Sequence, residues 1–450
     1  MELLWDRGTI VCRGIGRDAS PHLTCSALWD PRVEAWRAPA RAYATWRIEL
    51  SRSGRTLRDQ VPPLLPAPAA FATPELRPYQ LAALLAWHAS ECRGLVALPT
   101  GAGKTRVAIA AISRARCATL CLVPTRVLLD AWVGALRSAG AAEVGVFGDG
   151  EHSLRSITVA TMASARARVE ELGSRFELLI VDEAHHLASE EASELLEMYT
   201  APRRLGLSAT PPEHEAASAR LERLLGPLVF RSSLHDLAGR YLAPFRVATL
   251  HLRLDAEERS RYEQTRALWH PLVQRFFELQ PGASWADFVR AARASDEGRA
   301  ALRAWQRTQE LLRFPSAKRA TVKDLLARHA AARALVFAPD ARTACEIARQ
   351  ELIPLITADI GRAERARILE GFARGELGAI ASAKVLNEGV DVPAAEIAVL
   401  VGTSGSRREY AQRVGRVLRP AEGKEALVYE LLLRGTREDA RFQRAREVLR

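Results

Sequence analysis

The stretch Leu98-Pro-Thr-Gly-Ala-Gly-Lys-Thr105 follows an apolar run at residues 94–98 and precedes a helical pattern at residues 107–112. In this strand–loop–helix context a glycine-rich loop binds phosphate, because glycines let several backbone N–H groups approach one anion. Lys104 is placed to reach the β- and γ-phosphates, and the hydroxyl of Thr105 to hold Mg²⁺. The alternative is a fortuitous Gly-Lys-Thr turn. The predicted cofactor-binding residues of this loop are Thr100, Gly101, Ala102, Gly103, Lys104 and Thr105.

A second motif is an apolar run that ends in two carboxylates, Phe176-Glu-Leu-Leu-Ile-Val-Asp-Glu-Ala-His185. A carboxylate at a strand end, here Asp182, suits a hard divalent cation. Glu183 beside it would orient and deprotonate the water that attacks the phosphate. The alternative is an ordinary helix start with acidic first-turn residues. Together the two motifs predict hydrolysis of a nucleoside triphosphate with Mg²⁺, with a first catalytic set of Lys104, Asp182, Glu183 and His185.

The chain is long enough for several domains and contains enough hydrophobic residues to form a core in each. The 450 residues, 48% of them hydrophobic, suffice for roughly two to four domains. No apolar run reaches the roughly 18 residues that span a bilayer, and the N-terminus lacks a signal-peptide pattern, so we expect a cytoplasmic protein. The six cysteines are scattered without zinc-ligand spacing, which predicts no structural metal.

The charge balance points towards a polyanion partner. The net charge is +11 and the isoelectric point lies near 9.8, values typical of proteins that bind nucleic acid. Almost all of the 64 basic residues are arginine, a bias that a GC-rich genome would also produce. Charge alone therefore leaves both explanations open.

Four segments follow one another along the chain. Residues 1–60 hold short β-like runs and several tryptophans, and a proline-rich connector begins at Val61. Residues 61–240 alternate apolar runs with helical patterns, residues 241–315 are charged and mainly helical, and residues 316–450 hold a second alternating series. We therefore predict an α/β protein with a small N-terminal α+β domain, two tandem parallel-sheet domains and a helical insertion. The strands predicted for the first sheet are Gly94–Leu98, Ala118–Val123, Ser156–Ala160, Leu178–Asp182 and Arg204–Leu207.

Regularly spaced arginines mark the second α/β series, which lacks a Gly-Lys-Thr loop of its own. In Gln412-Arg-Val-Gly-Arg416-Val-Leu-Arg419-Pro, the arginines recur every three positions and share one helix face. We predict that Arg416 and Arg419 are catalytic and cross an inter-domain cleft to the γ-phosphate, with Gln412 near the attacking water. The alternatives are a solvated helix face or a nucleic-acid stripe. Upstream, Gly389 and Asp391 form a predicted cofactor-binding turn, in which the carboxylate can bind a ribose hydroxyl. The alternative is an ordinary αβ loop.

The ordered motifs of residues 75–435 resemble those of the superfamily-two DEAH-box helicases and, within them, the XPB-like group. The resemblance implies two RecA-like domains, ATP and Mg²⁺ as cofactors, DNA as the partner and 3′-to-5′ movement. The segment Arg77-Pro-Tyr-Gln80 resembles the adenine-reading element, which implies that Arg77 and Gln80 contact the base. Resemblance to the elements that grip the nucleic-acid backbone or link hydrolysis to strand movement implies nucleic-acid binding at Pro124, Thr125, Arg126, Gly148, Thr161, Ser208, Thr210, Pro339 and Ser382.

Two further segments bear on this resemblance. Residues 27–43, with their tryptophans, resemble part of the small damage-recognition domain that precedes the motor in archaeal and bacterial XPB proteins; the alternative is a small globular appendage. One departure follows Thr210, where Pro211-Pro-Glu stands in place of the Arg-Glu-Asp element with which XPB proteins open DNA. The helical insertion lies where such proteins place a thumb-like DNA grip, and its charges are equally consistent with a solvated surface.

Three functions are compatible with the sequence. The first is an ATP-dependent DNA helicase or translocase of DNA repair, associated with the nucleoid and with an accessory repair nuclease as a further partner. The second is a nucleic-acid-stimulated ATPase that remodels protein–nucleic acid complexes or serves a restriction-type system without strand separation. The third, a non-catalytic binding module, is disfavoured because Lys104, Asp182, Glu183, Arg416 and Arg419 occur together.

Overall fold

The structure, a computed structural model, describes residues 1–17, 27–52, 56–211, 214–357, 359–383, 395–402, 413–415 and 426–438. Within these ranges the chain divides into two units, one formed by Met1–Leu237 and one that begins at Ala238. No helix of the described ranges is both long enough and apolar enough to cross a membrane. Each unit contains a large sheet built from parallel strands.

A small mixed sheet with one helix forms the N-terminal domain. Its elements are β1 (Glu2–Asp6), β2 (Thr9–Arg13), β3 (Leu28–Asp30), β4 (Ala35–Pro39), the 3-10 turn Ala40–Ala42, α1 (Tyr43–Arg52) and β5 (Arg58–Asp59). The strand order is β3-β4-β2-β1-β5, and every pair is antiparallel except β1 with β5. Leu3, Ile10 and Trp46 are fully buried, so one face of the sheet packs on α1 to form the core of this domain.

Several contacts attach the N-terminal domain to the sheet domain that follows it, and two of them involve little-exposed side chains. The ring of Trp5 fills the space that a Cβ atom at Gly173 would need, so this approach requires glycine. Arg41 forms an ion pair with Glu197, and both side chains are mostly buried. The N-terminal domain is therefore packed on its neighbour and not only tethered to it by the proline-rich connector.

The first lobe, defined as residues 61–237, contains an eight-stranded sheet. Its elements are α2 (Pro78–Ala89), β6 (Arg93–Ala97), α3 (Lys104–Ala115), β7 (Thr119–Val123), α4 (Arg126–Ser138), β8 (Gly145–Gly148), β9 (Glu151–Ser153), β10 (Ile157–Thr161), α5 (Met162–Ala167), α6 (Val169–Leu172), β11 (Leu178–Val181), the 3-10 turn Ala184–Leu187, α7 (Glu190–Glu197), β12 (Arg203–Ser208), α8 (Glu215–Leu225), β13 (Leu228–Arg231) and α9 (Leu234–Leu237). The strand order is β13-β6-β12-β11-β7-β10-β8-β9, and every pair is parallel except β8 with β9. The central strands are buried on both faces, which explains their continuous apolar runs. The five strands predicted for this sheet are thus confirmed as β6, β7, β10, β11 and β12.

A fully buried arginine anchors the amino end of β12. Arg204 donates hydrogen bonds to the carbonyl oxygens of Leu196, Tyr199, Ala201 and Leu224 at 2.7–3.0 Å. Burial, with a smaller contribution from the charge of Arg93, lowers the pKa of Arg204 to about 9. The four carbonyls join β12 to the ends of α7 and α8, and so fix the strand that leads into Ser208.

The second lobe, defined as the described residues from Ala238 onward, contains a six-stranded, wholly parallel sheet. Its elements are β14 (Phe245–Leu252), α10 (Ala256–Leu279), α11 (Trp285–Ala292), α12 (Asp296–Arg313), α13 (Ser316–Arg328), β15 (Ala334–Phe337), α14 (Ala341–Glu351), β16 (Leu355–Ile356), α15 (Arg362–Ala373), β17 (Ala379–Ser382), β18 (Ile397–Leu400) and β19 (Ala426–Leu433). The strand order is β14-β19-β18-β15-β17-β16. A buried hydrogen bond of 3.0 Å from the indole N–H of Trp269 to the hydroxyl of Thr308 joins α10 to α12.

One element departs from the sequence prediction. The segment 241–315, predicted as a mainly helical insertion, contains helices α10, α11 and α12, but it begins with the strand β14. β14 is an edge strand with mostly half-exposed side chains, so it lacks the continuous apolar run that marks a central strand. The helices therefore connect two elements of the second lobe and do not precede its sheet.

Candidate active site and nucleic-acid interface

The glycine-rich loop has the backbone shape that its sequence predicts. Gly101 and Gly103 both have left-handed φ angles, of +85° and +78°, which only glycine adopts without strain. A Cβ atom at Gly103 would also lie 2.5 Å from the amide nitrogen of Gln80. Lys104 is the first residue of α3, and its Nζ donates to the carbonyl oxygen of Leu98 at 3.2 Å. The lysine side chain therefore reaches back across the loop to its first residue.

The start of α2 holds this loop in place. The hydroxyl of Tyr79 and the side-chain amide of Gln80 each donate to the carbonyl oxygen of Ala102 at 2.8 Å. Gln80 is buried, and its Oε1 accepts from the backbone N–H of Arg77 at 2.9 Å. The segment predicted to read adenine is therefore attached to the segment predicted to bind phosphate. The base contacts of Arg77 and Gln80 stay predictions.

The loop also retains an unsatisfied polar group. Thr100 Oγ1 is shielded from solvent and has no hydrogen-bond partner among the described residues. A buried hydroxyl without a partner costs free energy, and a phosphate oxygen would satisfy it. The left-handed glycines, Lys104 and Thr100 therefore fit a nucleotide phosphate.

The acidic strand end is buried and ordered by hydrogen bonds. Asp182 is 4% exposed and Glu183 8% exposed. Asp182 Oδ1 accepts from the backbone N–H of Glu183 at 2.9 Å, and Oδ2 accepts from the indole N–H of Trp132 at 2.7 Å. Glu183 has a φ of +46°, a left-handed conformation that side chains rarely adopt and that tends to occur at functional sites.

The available oxygen ligands fit Mg²⁺. Among the described residues there is no cluster of three or more His, Cys, Asp and Glu that would hold a metal by protein ligands alone. Mg²⁺ instead takes one or two protein oxygens and completes its shell with water and phosphate. The carboxylate of Asp182 and the hydroxyl of Thr105 are the predicted pair, and their contacts with Mg²⁺ stay predictions.

A chain of contacts links the acidic strand end to the segment after β12. Nδ1 of His185 lies 3.4 Å from Oε2 of Glu183 and 3.2 Å from the hydroxyl of Ser208. Ser208 donates its proton to the carbonyl oxygen of Thr210 at 2.6 Å. Its oxygen must therefore accept from His185, which assigns the imidazole proton to Nδ1. His185 thus connects the predicted general base to residues 208–210.

Sheet topology explains why these segments meet. Strands β6, β12, β11, β7 and β10 are consecutive neighbours and parallel, so the residues after them lie at one carboxyl edge. β12 separates β6 from β11, which places the phosphate loop and the acidic strand end two strand spacings, or about 10 Å, apart. At the same edge lie residues 124–126, which follow β7, and Thr161, which ends β10. Open α/β sheets bind their ligands at this edge.

The predicted nucleic-acid residues of the first lobe have internal partners in the structure. Thr125 and Thr161 cap α4 and α5, because their hydroxyls accept from Leu128 N–H at 3.4 Å and Ser164 N–H at 3.2 Å. Pro124, between β7 and Thr125, leads the chain into α4. These positions lie at the sheet edge, and their contacts with nucleic acid stay predictions.

Arg126, predicted to grip the nucleic-acid backbone, is surrounded by acceptors of its own chain. It donates to the carbonyl oxygen of Gly148 at 2.6 Å and to Glu151 at 3.0 Å, and Asp130 and Asp149 lie within 3.7 Å. Burial disfavours its charged form, but these carboxylates outweigh burial and raise the pKa of Arg126. The structure therefore shows Arg126 linking α4 to the β8–β9 turn, and its contact with the nucleic-acid backbone stays a prediction.

Two further residues predicted to bind nucleic acid have buried side chains with internal partners, and their contacts with nucleic acid stay predictions. Ser208 and Ser382 are fully buried. Ser382 donates to the carbonyl oxygen of Ile356 at 2.9 Å, and Ser208 bonds to Thr210 as described above. Both hydroxyls are thus satisfied inside the protein, because each lies at the last residue of a covered central strand. Pro339 follows β15, beside β17, at the corresponding edge of the second sheet.

Several predicted residues lie outside the described residues: Gln412, Arg416, Arg419, Gly389 and Asp391. Conversely, Trp132 and Tyr79 were not among the predicted site residues, although Tyr79 lies within the quoted segment Arg77-Pro-Tyr-Gln80. Trp132 lies 50 residues before Asp182, so only the tertiary arrangement of α4 and β11 brings them together. Its one sequence signal is its position in the helix that follows residues 123–126.

Comparison with known proteins places three family matches along the chain. Residues 3–61 match the Xeroderma pigmentosum group B helicase damage recognition domain, residues 73–213 the type III restriction enzyme res subunit, and residues 317–421 the helicase conserved C-terminal domain. The DNA 3′-5′ translocase XPB2 of Sulfurisphaera tokodaii is 37% identical over 420 residues, which are 93% of this chain and 95% of that protein. The DNA 3′-5′ helicase XPB of Mycobacterium tuberculosis is 30% identical over 375 residues, 80% of this chain and 61% of that protein.

Two solved structures share the fold. The helicase domain of Pyrococcus furiosus Hef superposes with a TM-score of 0.52 at 19% identity, covering 82% of this chain and 98% of that one. Saccharomyces cerevisiae Dbp5 bound to RNA and ADP BeF3 superposes with a TM-score of 0.57 at 12% identity, covering 92% and 91%. At these identities the two structures support the tandem RecA-like architecture and nothing finer.

Proposed function

Because the chain belongs to the XPB family of superfamily-two helicases, we propose that it is an ATP-dependent DNA helicase or translocase that moves in the 3′-to-5′ direction and serves DNA repair. One structural observation supports this most directly. The phosphate loop, the acidic strand end and the 208–210 segment share one edge of the first-lobe sheet. We place the protein in the cytoplasm at the nucleoid, where its DNA substrate would lie.

The residues at this edge divide the chemistry among them. Lys104 and the loop N–H groups bind the phosphates of ATP, and Thr105 and Asp182 hold Mg²⁺, whose charge offsets that of the phosphates. Glu183 orients the attacking water and accepts its proton. Because Glu183 is nearly buried and contacts His185, its position is coupled through Ser208 to the segment that resembles the hydrolysis-to-movement motif.

A second candidate is favoured by one departure from the family pattern. Pro211 and the residue after it stand where XPB proteins carry the DNA-opening Arg-Glu-Asp element. Residues 73–213 also match a restriction-enzyme subunit. The alternative is therefore a nucleic-acid-stimulated ATPase that remodels protein–nucleic acid complexes or serves a restriction-type system without separating strands. An accessory nuclease is a partner that either function would accommodate.

The deciding experiment compares ATP turnover with single-stranded DNA, duplex DNA and RNA at matched salt, since the affinity for any polyanion depends on ionic strength. We expect DNA to stimulate turnover more than RNA does. Strand displacement and triplex displacement are measured in parallel: activity in both indicates a helicase, and triplex displacement alone indicates a translocase that does not unwind.

The control is Lys104→Ala, which removes the phosphate-binding ammonium and should abolish ATP binding and turnover. If neither single-stranded nor duplex DNA changes the turnover rate of the wild-type protein, the motor function is contradicted. DNA-stimulated turnover without either displacement would favour the remodelling alternative.

A further inference from the structure

A buried tryptophan donates to the carboxylate that we assign to Mg²⁺. Trp132, in the second turn of α4, is 1% exposed, and its indole N–H lies 2.7 Å from Asp182 Oδ2. Another buried tryptophan of the same lobe, Trp87, donates instead to the backbone carbonyl oxygen of Arg204 at 2.9 Å. A buried indole N–H usually finds an acceptor, but Trp87 shows that a backbone carbonyl suffices, so burial alone does not account for the choice of a carboxylate.

The two donors to Asp182 fix the plane of its carboxylate. Oδ1 is held by the N–H of Glu183 and Oδ2 by Trp132. Each carboxylate oxygen has two lone-pair directions, so each keeps one for the shell of the metal. Without the indole, the backbone N–H of Glu183 would be the one hydrogen-bond donor that the described residues offer to Asp182, and the carboxylate would be less restrained.

We propose that Trp132 is a positioning residue, which orients Asp182 for Mg²⁺ bound with the nucleotide. The inference rests on the proposed ATP site and adds a residue that the helicase motifs do not include. Donors that orient a metal ligand typically change metal affinity by about 10- to 100-fold when they are removed. Charge-assisted hydrogen bonds of this length are stronger than neutral ones, so loss of the N–H should weaken Mg²⁺ binding by Asp182.

The test removes the N–H and keeps an aromatic ring, with Trp132→Phe. Binding of a fluorescent ADP analogue is titrated with Mg²⁺ in the absence of DNA. We expect the Mg²⁺ midpoint to rise by about tenfold or more, while nucleotide affinity without Mg²⁺ is unchanged because Lys104 and the loop are intact. Trp87→Phe is the matched control, since it removes an equally buried indole N–H of the same lobe and should leave the Mg²⁺ midpoint at the wild-type value.

A double variant separates positioning from general loosening of the lobe. If Trp132 acts through Asp182, Trp132→Phe added to Asp182→Asn should shift the Mg²⁺ midpoint no further than Asp182→Asn alone. An unshifted midpoint in Trp132→Phe, an equal shift in Trp87→Phe, or additive shifts in the double variant would each overturn the proposal. Failure of DNA to stimulate turnover would contradict the motor function and leave this result standing, because the titration contains no DNA.

Discussion

The side-chain amide of Gln80 donates a 2.8 Å hydrogen bond to the carbonyl oxygen of Ala102, the residue between the two left-handed glycines of the phosphate loop. Gln80 is therefore in contact with the loop as well as being the predicted reader of the base. The two roles make different predictions, because one acts on phosphate binding and the other on the base.

We expect Gln80→Ala to weaken ATP binding by about 1–2 kcal/mol, or about five- to thirtyfold, since it removes two buried hydrogen bonds. Inhibition of turnover by tripolyphosphate, which has no base, distinguishes the two roles. If Gln80 supports the loop, tripolyphosphate binding weakens as well. Unchanged tripolyphosphate inhibition with weakened ATP binding would assign Gln80 to the base alone.

Glu183→Gln tests the assignment of the general base. The substitution keeps the size of the side chain and removes its ability to accept a proton. ATP binding should persist while turnover falls by about 10²- to 10⁴-fold, as measured by single-turnover kinetics with DNA. The exposed Glu194 of α7 provides the control, and Glu194→Gln should turn over normally. Hydrolysis by Glu183→Gln at the wild-type rate would show that another group takes the proton.

Ser208→Ala tests the link between hydrolysis and movement. The hydroxyl of Ser208 joins His185 to Thr210. Without it, the amount of triplex displaced per ATP hydrolysed should fall several-fold, while the affinity for ATP stays near the wild-type value. The measurement is the ratio of the two rates under saturating DNA. Ser193→Ala, which removes a buried hydroxyl bonded to the Glu190 carbonyl, should leave that ratio unchanged. Equal loss of both rates in Ser208→Ala would indicate a purely structural role.

A buried ion pair should control the stability of the second lobe. Lys318 is fully buried and donates to Glu438 at 2.7 Å, and Glu438 also accepts from Leu433 N–H at 3.1 Å. Lys318→Met leaves a largely buried carboxylate without its cation, so the free energy of unfolding in urea should fall by about 3–5 kcal/mol. Adding Glu438→Gln, which keeps an acceptor for Leu433, should restore most of that loss. No recovery in the double variant would contradict the account.

The N-terminal domain should lose stability in acid through Asp30. The guanidinium of Arg32, joined by that of Arg37, holds the pKa of Asp30 well below its ordinary range. A carboxyl whose pKa is depressed by folding stabilises above its unfolded pKa of about 4 and loses that contribution as the pH falls further. Amide exchange in β4, corrected for the intrinsic rate at each pH, should therefore speed up as the pH drops below about 4. Asp30→Asn should remove most of this dependence, and an unchanged profile would exclude Asp30 as its source.

How much of the structure can be predicted from the sequence depends on which interactions join residues that are close along the chain. The central strands of the first sheet were predictable because burial on both faces leaves continuous apolar runs, whereas the edge strand β14 has no such run. The phosphate loop was predictable because its glycines and Lys104 are adjacent in sequence. The hydrogen bond from Trp132 to Asp182 was not, since it joins two elements that only the folded sheet brings together. The carboxylates around Arg126 were likewise not predictable, because Asp149 and Glu151 reach it only through the fold.

The pairing of β14 with β19 sets an order of events for synthesis of the protein. The two strands pair along their full length, from Phe245 with Ala426 to Leu252 with Leu433. Because these partners are roughly 180 residues apart, β14 leaves the ribosome long before its neighbour exists. During that interval the edge that later pairs with β19 is also unpaired, so both edges of β14 are open, which invites association with other chains. Translation that stops before residue 426 should therefore yield aggregating chains, even though the entire first lobe has already been made.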